Sequence, residues 1–234
     1  MPSSFTRYAI YYAPAYGSPL AEFGRRWFGY DPKAGTSIDQ RITLGLDDAF
    51  VFDVTSQPAR YGLHATLKPP IQLAIGRTEE QLAAATARLA QRLELVTTGP
   101  LEVVNLDGFL ALCPSGDLTA LNALAAEIVE QLDPFRALPG AAERQRRVTA
   151  NLSPRQRELL EDWGYPFLLD QFRLHITLTR RLDGGERQRL LPRLKDELAE
   201  HCTQPFVVDS ICLYGDPGES RPFRYIDRFP LGTD

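Results

Sequence analysis

Two short segments constrain this chain more than anything else in it. His64-Ala65-Thr66-Leu67 lies inside a strand-like run at 61–68 (YGLHATLK), and His175-Ile176-Thr177-Leu178 lies inside another at 172–179 (FRLHITLT). Each is followed by a helical pattern and then by two strand-like runs. After the first come TEEQLAAATARLAQRLEL from Thr78, then LEVVNL and FLALC. After the second come a helix near 186–200 that contains Pro192, then PFVVDSICLY and FRYIDRFPL. Similar units repeated in one chain can pack about a pseudo-two-fold axis. The expected fold class is α+β: two pseudo-symmetric lobes of antiparallel sheet plus helices around a central cleft. No Gly/Ser linker parts the halves, so residues 1–234 read as a single bilobal domain, with lobe one at about 1–116 and lobe two at about 117–234.

Local signals fill in the rest. RYAIYYA at 7–13 is rich in β-branched and aromatic residues and ends at Pro14, which predicts a strand. Ser18-Pro19 opens a helix, with serine as N-cap and proline at the first helical position. Residues 30–58 have weak periodicity and read as loops and irregular pieces. Pro69-Pro70 should end the first motif strand. Thr78 and Gln81 have capping-box spacing, and Leu82, Ala85, Leu89 and Leu93 line one helical face. Asp107-Gly108 between two apolar runs is a strong hairpin signal. Asp117 to Leu132 reads as a second amphipathic helix. An arginine-rich insert near 136–165 holds Arg136, Arg144, Arg146, Arg147, Arg155 and Arg157, with Ser153-Pro154 capping a helix inside it. It reads equally as a lid or as a solvated helical insert.

Composition bounds the function. The chain is 44% hydrophobic and 24% charged, ordinary for a globular protein. A net charge of −4 argues against a broad basic surface that coats nucleic acid, while a small anionic substrate needs only a few local cations. Three cysteines without a CxxC pair indicate neither a disulfide framework nor a zinc site, and fit a reducing cytoplasm. The first residues do not read as a secretion signal, and no apolar run approaches the ~20 residues that span a bilayer. A soluble cytoplasmic protein with no membrane partner is expected.

The chemistry follows from strand alternation. In the first motif strand Tyr61, Leu63, Ala65 and Leu67 would enter a core, leaving His64, Thr66 and Lys68 on the opposite face. In the second, Phe172, Leu174, Ile176 and Leu178 would do so, leaving Arg173, His175, Thr177, Thr179 and Arg181. Paired histidines suit phosphate ester chemistry without a metal: one deprotonates an attacking water or hydroxyl, the other protonates the leaving oxygen. Either histidine can play either part. Thr66 and Thr177 can donate to phosphoryl oxygens, and Lys68, Arg173 or Arg181 can offset charge. Tyr11 and Tyr225 are further binding candidates, for which packing is the ordinary role. His201, the third histidine, reads as a helix-end cation. Neither polar face carries a carboxylate, so no metal and no cofactor are expected.

These residues carry a resemblance. His64-Ala-Thr66-Leu and His175-Ile-Thr177-Leu resemble the signature of the 2H phosphoesterase superfamily, which includes the LigT-type cyclic phosphodiesterases. RYAIYYAP, the FGYDP segment at 28–32, YGLHATLKPP and FRLHITLT are similar to a bacterial subfamily linked to phosphonate metabolism. The resemblance covers nearly the whole chain. It implies both H-x-T motifs in a central cleft, with His64, Thr66, His175 and Thr177 catalytic and no metal. It implies opening of a cyclic phosphodiester of a ribose or nucleotide, a small cyclic phosphate or a short RNA end being the partner. The alternative is a catalytically silent nucleotide- or RNA-end-binding protein on the same fold.

Overall fold

Local chemistry sets most element boundaries. The computed structural model describes residues 5–39, 42–138 and 152–232. The chain runs β1 (Arg7–Tyr12), α1 (Pro19–Phe28), β2 (Tyr30–Asp31), β3 (Thr36–Ser37), α2 (Asp48–Ala59), β4 (Ala65–Ile71), α3 (Glu79–Arg92), β5 (Val96–Leu106) and β6 (Phe109–Pro114). It continues through α4 (Thr119–Leu132), α5 (Pro154–Trp163), β7 (Ile176–Arg181), α6 (Gly184–Glu197), β8 (Pro205–Val208), β9 (Ser210–Asp216) and β10 (Arg224–Pro230). Ser18 caps α1 by accepting from the Ala21 N–H, and Thr78 and Gln81 form the expected capping box of α3. Asp107 and Gly108, at φ 49° and 99°, make the β5–β6 turn, whose left-handed backbone suits the twist of the flanking strands.

The large sheet has strand order β10-β9-β1-β4-β7-β6-β5-β8, all neighbours antiparallel. That order is symmetric about the β4–β7 junction. It does not follow the expected division at residue 116. The β5–β6 hairpin pairs with β7, and β9–β10 pairs with β1, so each half of the chain lends a hairpin to the other's strand. The run PFVVDSICLY, expected as one strand, is two. β8 and β9 lie at or near opposite ends of the strand order with only Asp209 between them, which requires the sheet to curl until its edges approach. One face of β1, β4 and β7 (Tyr8, Ile10, Ala65, Leu67, Ile176, Leu178) joins residues from α1, α2, α3, α4 and α6 in the main core. Ala9 and Tyr11, on the other face of β1, pack with Cys212, Tyr214 and Phe223 in a smaller cluster.

Three further expectations change. Residues 30–58 are not loops throughout: Asp47 caps α2 by accepting from the Phe50 N–H, and Val51 and Val54 enter the core. The two histidines stand one residue before β4 and β7, not within them. Pro69-Pro70 do not end the first motif strand. Among the described residues β4 pairs with β7 only at Ala65–Ile176, so beyond that pair its ladder toward β7 is absent and prolines leave no donor unpaired there. Of the arginine-rich insert, residues 139–151 with Arg144, Arg146 and Arg147 lie outside the described residues. Arg136 pairs with Asp133, and Arg155 with Asp170 and Glu158.

The face assigned to Lys68 also changes. Lys68 is 3% exposed, and its Nζ donates to the Val129 carbonyl at 2.9 Å and to Asp133 at 3.2 Å. A bulge between the Tyr11–Thr66 and Ile10–Lys68 pairs inserts Leu67 as an extra residue of β4, breaks the alternation there and turns the Lys68 side chain toward α4. Burial pushes the ammonium down to about 8, against the opposing pull of Asp133. Lys68→Met, which keeps the volume and leaves Asp133 paired with Arg136, should change unfolding free energy by ~1 kcal/mol or less. Lys68→Ala should cost ~2–4 kcal/mol through the cavity it leaves. Urea unfolding of both variants checks this; equal and negligible losses would mean that the side chain is solvated instead.

Candidate active site

The site is built around one residue pair. Ala65 on β4 lies opposite Ile176 on β7, and both are fully buried in the core. Their antiparallel register sets His64 across from Thr177 and Thr66 across from His175. Since neighbours on a strand point to opposite faces, all four turn away from the core together. On the outer sides, Tyr11 of β1 pairs with Thr66, and Ala111 of β6 pairs with Thr177.

Both imidazoles are held in the same way. His64 Nδ1 lies 3.0 Å from the Gly62 carbonyl, and His175 Nδ1 lies 2.8 Å from the Arg173 carbonyl, in each case two residues back. A carbonyl only accepts, so each Nδ1 carries the proton in the neutral ring and each Nε2 is left free. Gly62 must be glycine: its φ is +69°, and a Cβ there would come 2.4 Å from Pro32 Cγ.

Beyond the Ala65–Ile176 pair the strands part, and a cleft of about 950 Å³ opens to solvent. It is walled by His64, Thr66 and Thr177, by Tyr11, Tyr61, Phe109 and Tyr165, by Pro69 and Pro70, and by Arg7, Arg60, Arg180 and Arg181. His175 is not among the wall residues, but its ring lies 5.6 Å from that of Phe109, and its charge acts on His64. The His64 ring packs 4.2 Å from Tyr11 and 5.5 Å from Tyr61. Burial pushes His64 down to about 4; the Gly62 carbonyl opposes this and His175 adds to it. Tyr11 is held well above the ordinary tyrosine value, mainly by burial, and so keeps its proton. Among the described residues the Thr66 and Thr177 hydroxyls have no hydrogen-bond partner, which leaves them free to donate.

The sequence-derived candidates separate accordingly. His64, Thr66, Thr177, Tyr11 and Arg181 wall the cleft, and His175 stands beside it. Lys68 lies in the core beside Asp133. Arg173 is exposed and acts electrostatically on Cys113, away from the cleft wall. Tyr225 walls a separate small pocket with Tyr16, Asp31 and Arg228. Arg181 donates to the Asp107 carbonyl, while Arg180, expected nowhere, is held between Asp53 and Glu186. Sequence reading missed Arg7 and Arg60. The signal for Arg7 was present, because it shares the alternation face of Tyr11. Arg60 follows directly on α2, the helix whose periodicity is too weak to read.

Comparison with known proteins bears on a site already in view. Residues 66–224 match the model of DUF1045, a family described as proteins of unknown function. The chain belongs to the DUF1045 family. The matched stretch includes Thr66, His175 and Thr177 and begins two residues after His64. Curated relatives of this family member include two proteins named ribose 1,5-bisphosphate phosphokinase PhnN. One, from Janthinobacterium sp. (strain Marseille), is 30% identical over 97% of this chain and 51% of its own length. The other, from Laribacter hongkongensis (strain HLHK9), is 33% identical over 93% of this chain and 50% of its own. The chain thus spans about half the length of the curated relatives it matches. A solved structure of E. coli LigT complexed with 3′-AMP aligns over 97% of this chain and 98% of that one, at 15% identity and a TM-score of 0.44. Similarity at that level adds nothing to what the site's own geometry says.

His64 offers a direct check. Its imidazole should titrate with a midpoint near 4 in the folded protein, read from its ring C–H resonance; a midpoint near 6.5 would refute the environment described. Since the folded value lies below the unfolded one, the folded state binds fewer protons between the two. Stability should therefore be lost as pH falls from about 6.5 toward 4, by no more than ~3 kcal/mol from this group.

Proposed function

We propose that this chain is a metal-independent phosphoesterase of the two-histidine kind, which opens a cyclic phosphodiester on a ribose or nucleotide. The observation that carries the reading is the matched anchoring of the two imidazoles. Each Nδ1 is tied to the carbonyl two residues back, on either side of the one pair that joins β4 to β7. This presents two Nε2 atoms and two threonine hydroxyls on one side of the sheet.

His64, neutral at pH 7, is the general base. Its Nε2 takes a proton from water as the water oxygen attacks phosphorus. His175 is the general acid, whose Nε2 proton passes to the departing sugar oxygen as the P–O bond breaks. The product is a phosphate monoester with a free hydroxyl, and proton exchange with solvent resets both rings. Thr66 and Thr177 donate to the non-bridging oxygens, where charge grows in the transition state. Cyclic phosphate on ribose fits the relatives' name, which specifies a phosphorylated ribose. The kinase chemistry in that name has no phosphate loop to use here: no glycine in this chain is followed by lysine, as a G-x-x-x-x-G-K-[S/T] run requires. The phosphonate link rests on the same relatives and on the resemblance of the motif segments. A cytoplasmic setting remains part of this proposal; among the described residues no helix is long and apolar enough to cross a membrane.

His64→Ala and His175→Ala should each lower turnover of nucleoside 2′,3′-cyclic phosphates by ~10²–10⁴-fold. The double variant should fall well short of the product of the two losses. Dialysis against a chelator should leave the rate unchanged. The acidic limb of kcat/KM should lie near pH 4, where His64 takes up its proton. Near-parental turnover by either folded single variant would disprove the acid–base pair. Binding of the cyclic nucleotide without any turnover would indicate a silent binding protein instead.

A further inference from the structure

The cleft has a second charged feature that the acid–base chemistry does not use. Arg7, at the start of β1, and Arg60, just past α2, both wall it, and both reach the same carboxylate. Arg7 Nε donates to Asp216 at 3.0 Å and its Nη2 at 2.5 Å, while Arg60 Nη2 lies 3.4 Å from Asp216. Asp216 is 1% exposed and also accepts the Gly218 N–H at 3.0 Å. The two guanidiniums keep 35% and 30% of their side-chain surface open. Both lie over the Phe223 ring, at 5.9 and 5.8 Å.

The electrostatics distinguish this end of the cleft from the other. Two arginines against one aspartate leave a net positive charge. At the other end Arg180 is shared by Asp53 and Glu186 and Arg181 is bonded to the Asp107 carbonyl, so two arginines there are offset by two carboxylates. Pinning β1 to β9 needs only one arginine. The second is poorly used: Arg60 makes only long contacts with Asp216, and its buried Nε has no partner among the described residues. A buried donor without an acceptor is costly, and a fork of guanidinium N–H groups matches phosphate oxygens. Arg60 lies 5.9 Å from the Tyr61 ring, whose centroid is 5.5 Å from that of His64. Tyr61 thus adjoins both the guanidinium and the imidazole.

We infer that Arg7 and Arg60 form a second anion subsite that binds a phosphate monoester on the same pentose whose cyclic phosphate lies between the histidines. The substrate is then a phosphorylated sugar cyclic phosphate, charged at both ends, rather than a plain nucleoside cyclic phosphate. This rests on the reading of the site given above. Tyr61 supplies the ring against which the sugar lies, and Asp216 holds the two arginines ready before the ligand arrives.

The test compares adenosine 2′,3′-cyclic phosphate with the same compound carrying a 5′-phosphate, alongside calorimetric binding of ribose 5-phosphate. The 5′-phosphorylated compound should be turned over with ~10- to 100-fold higher kcat/KM, the size of one or two charge-assisted hydrogen bonds. Arg60→Met should lose most of that preference and weaken ribose 5-phosphate binding to the same degree; Arg60→Lys should keep part of both. Arg60→Met leaves Asp216 bonded to Arg7 and Gly218, so the fold is retained, and thermal unfolding verifies it. Equal turnover of the two compounds would overturn the subsite while leaving the phosphodiesterase reading intact. If neither is turned over, that reading fails, and ribose 5-phosphate decides alone: binding weakened tenfold by Arg60→Met sustains the subsite, and no binding refutes it.

Discussion

The contact between Ala65 and Ile176 organises the molecule. Two four-stranded halves of a curled sheet meet there. Both side chains are small or branched and fully buried, so the pair belongs wholly to the core. What flanks it must therefore face out, and what flanks it is two histidines and two threonines. The same contact ends the ladder between β4 and β7, and the gap it leaves is the cleft. A longer ladder would close that gap with backbone hydrogen bonds. Pro69 and Pro70 on the β4 side cannot donate to one, which keeps the gap open.

A near-symmetric scaffold gives its two histidines different surroundings. The anchoring is the same, through Nδ1 and the carbonyl two residues back. The neighbours are not. His64 packs beside Tyr11 and Tyr61, in the part of the sheet that carries the smaller core cluster. His175 has Phe109 beside it. Desolvation acts on the first ring strongly enough to keep it neutral at pH 7, and the acid–base cycle proposed for the site builds on that difference in surroundings.

The sequence made the elements with strong local chemistry legible. Ser18-Pro19, the Thr78–Gln81 box and Asp107-Gly108 each fix a cap or turn through their own side chains or backbone freedom, and each stands where expected. The histidine and threonine positions were legible because alternation needs only a strand, and the pattern occurs twice. α2 was not, because its apolar residues do not form one clean face. Lys68 was assigned by the same alternation and failed, because a bulge in the pairing with β1 breaks the period of two. The split of PFVVDSICLY at Asp209 has no local signal: both pieces look alike as strands, and only the curl of the whole sheet sends them to different partners. Arg7 and Arg60 meet through Asp216, a contact across the chain that no window of sequence contains.

That last contact has a consequence for how the protein is made. β1 pairs with β9, and the Arg7–Asp216 bond joins residues 209 apart in the chain. During synthesis β1 emerges well before β9. Until β9 follows, the edge of β1 that pairs with it has no partner and is open to pairing with another chain. Contacts of such high order form slowly, since loop closure must come before any gain from pairing. The arrangement that brings two arginines to one carboxylate therefore leaves that edge of β1 open for as long as the intervening chain takes to be made.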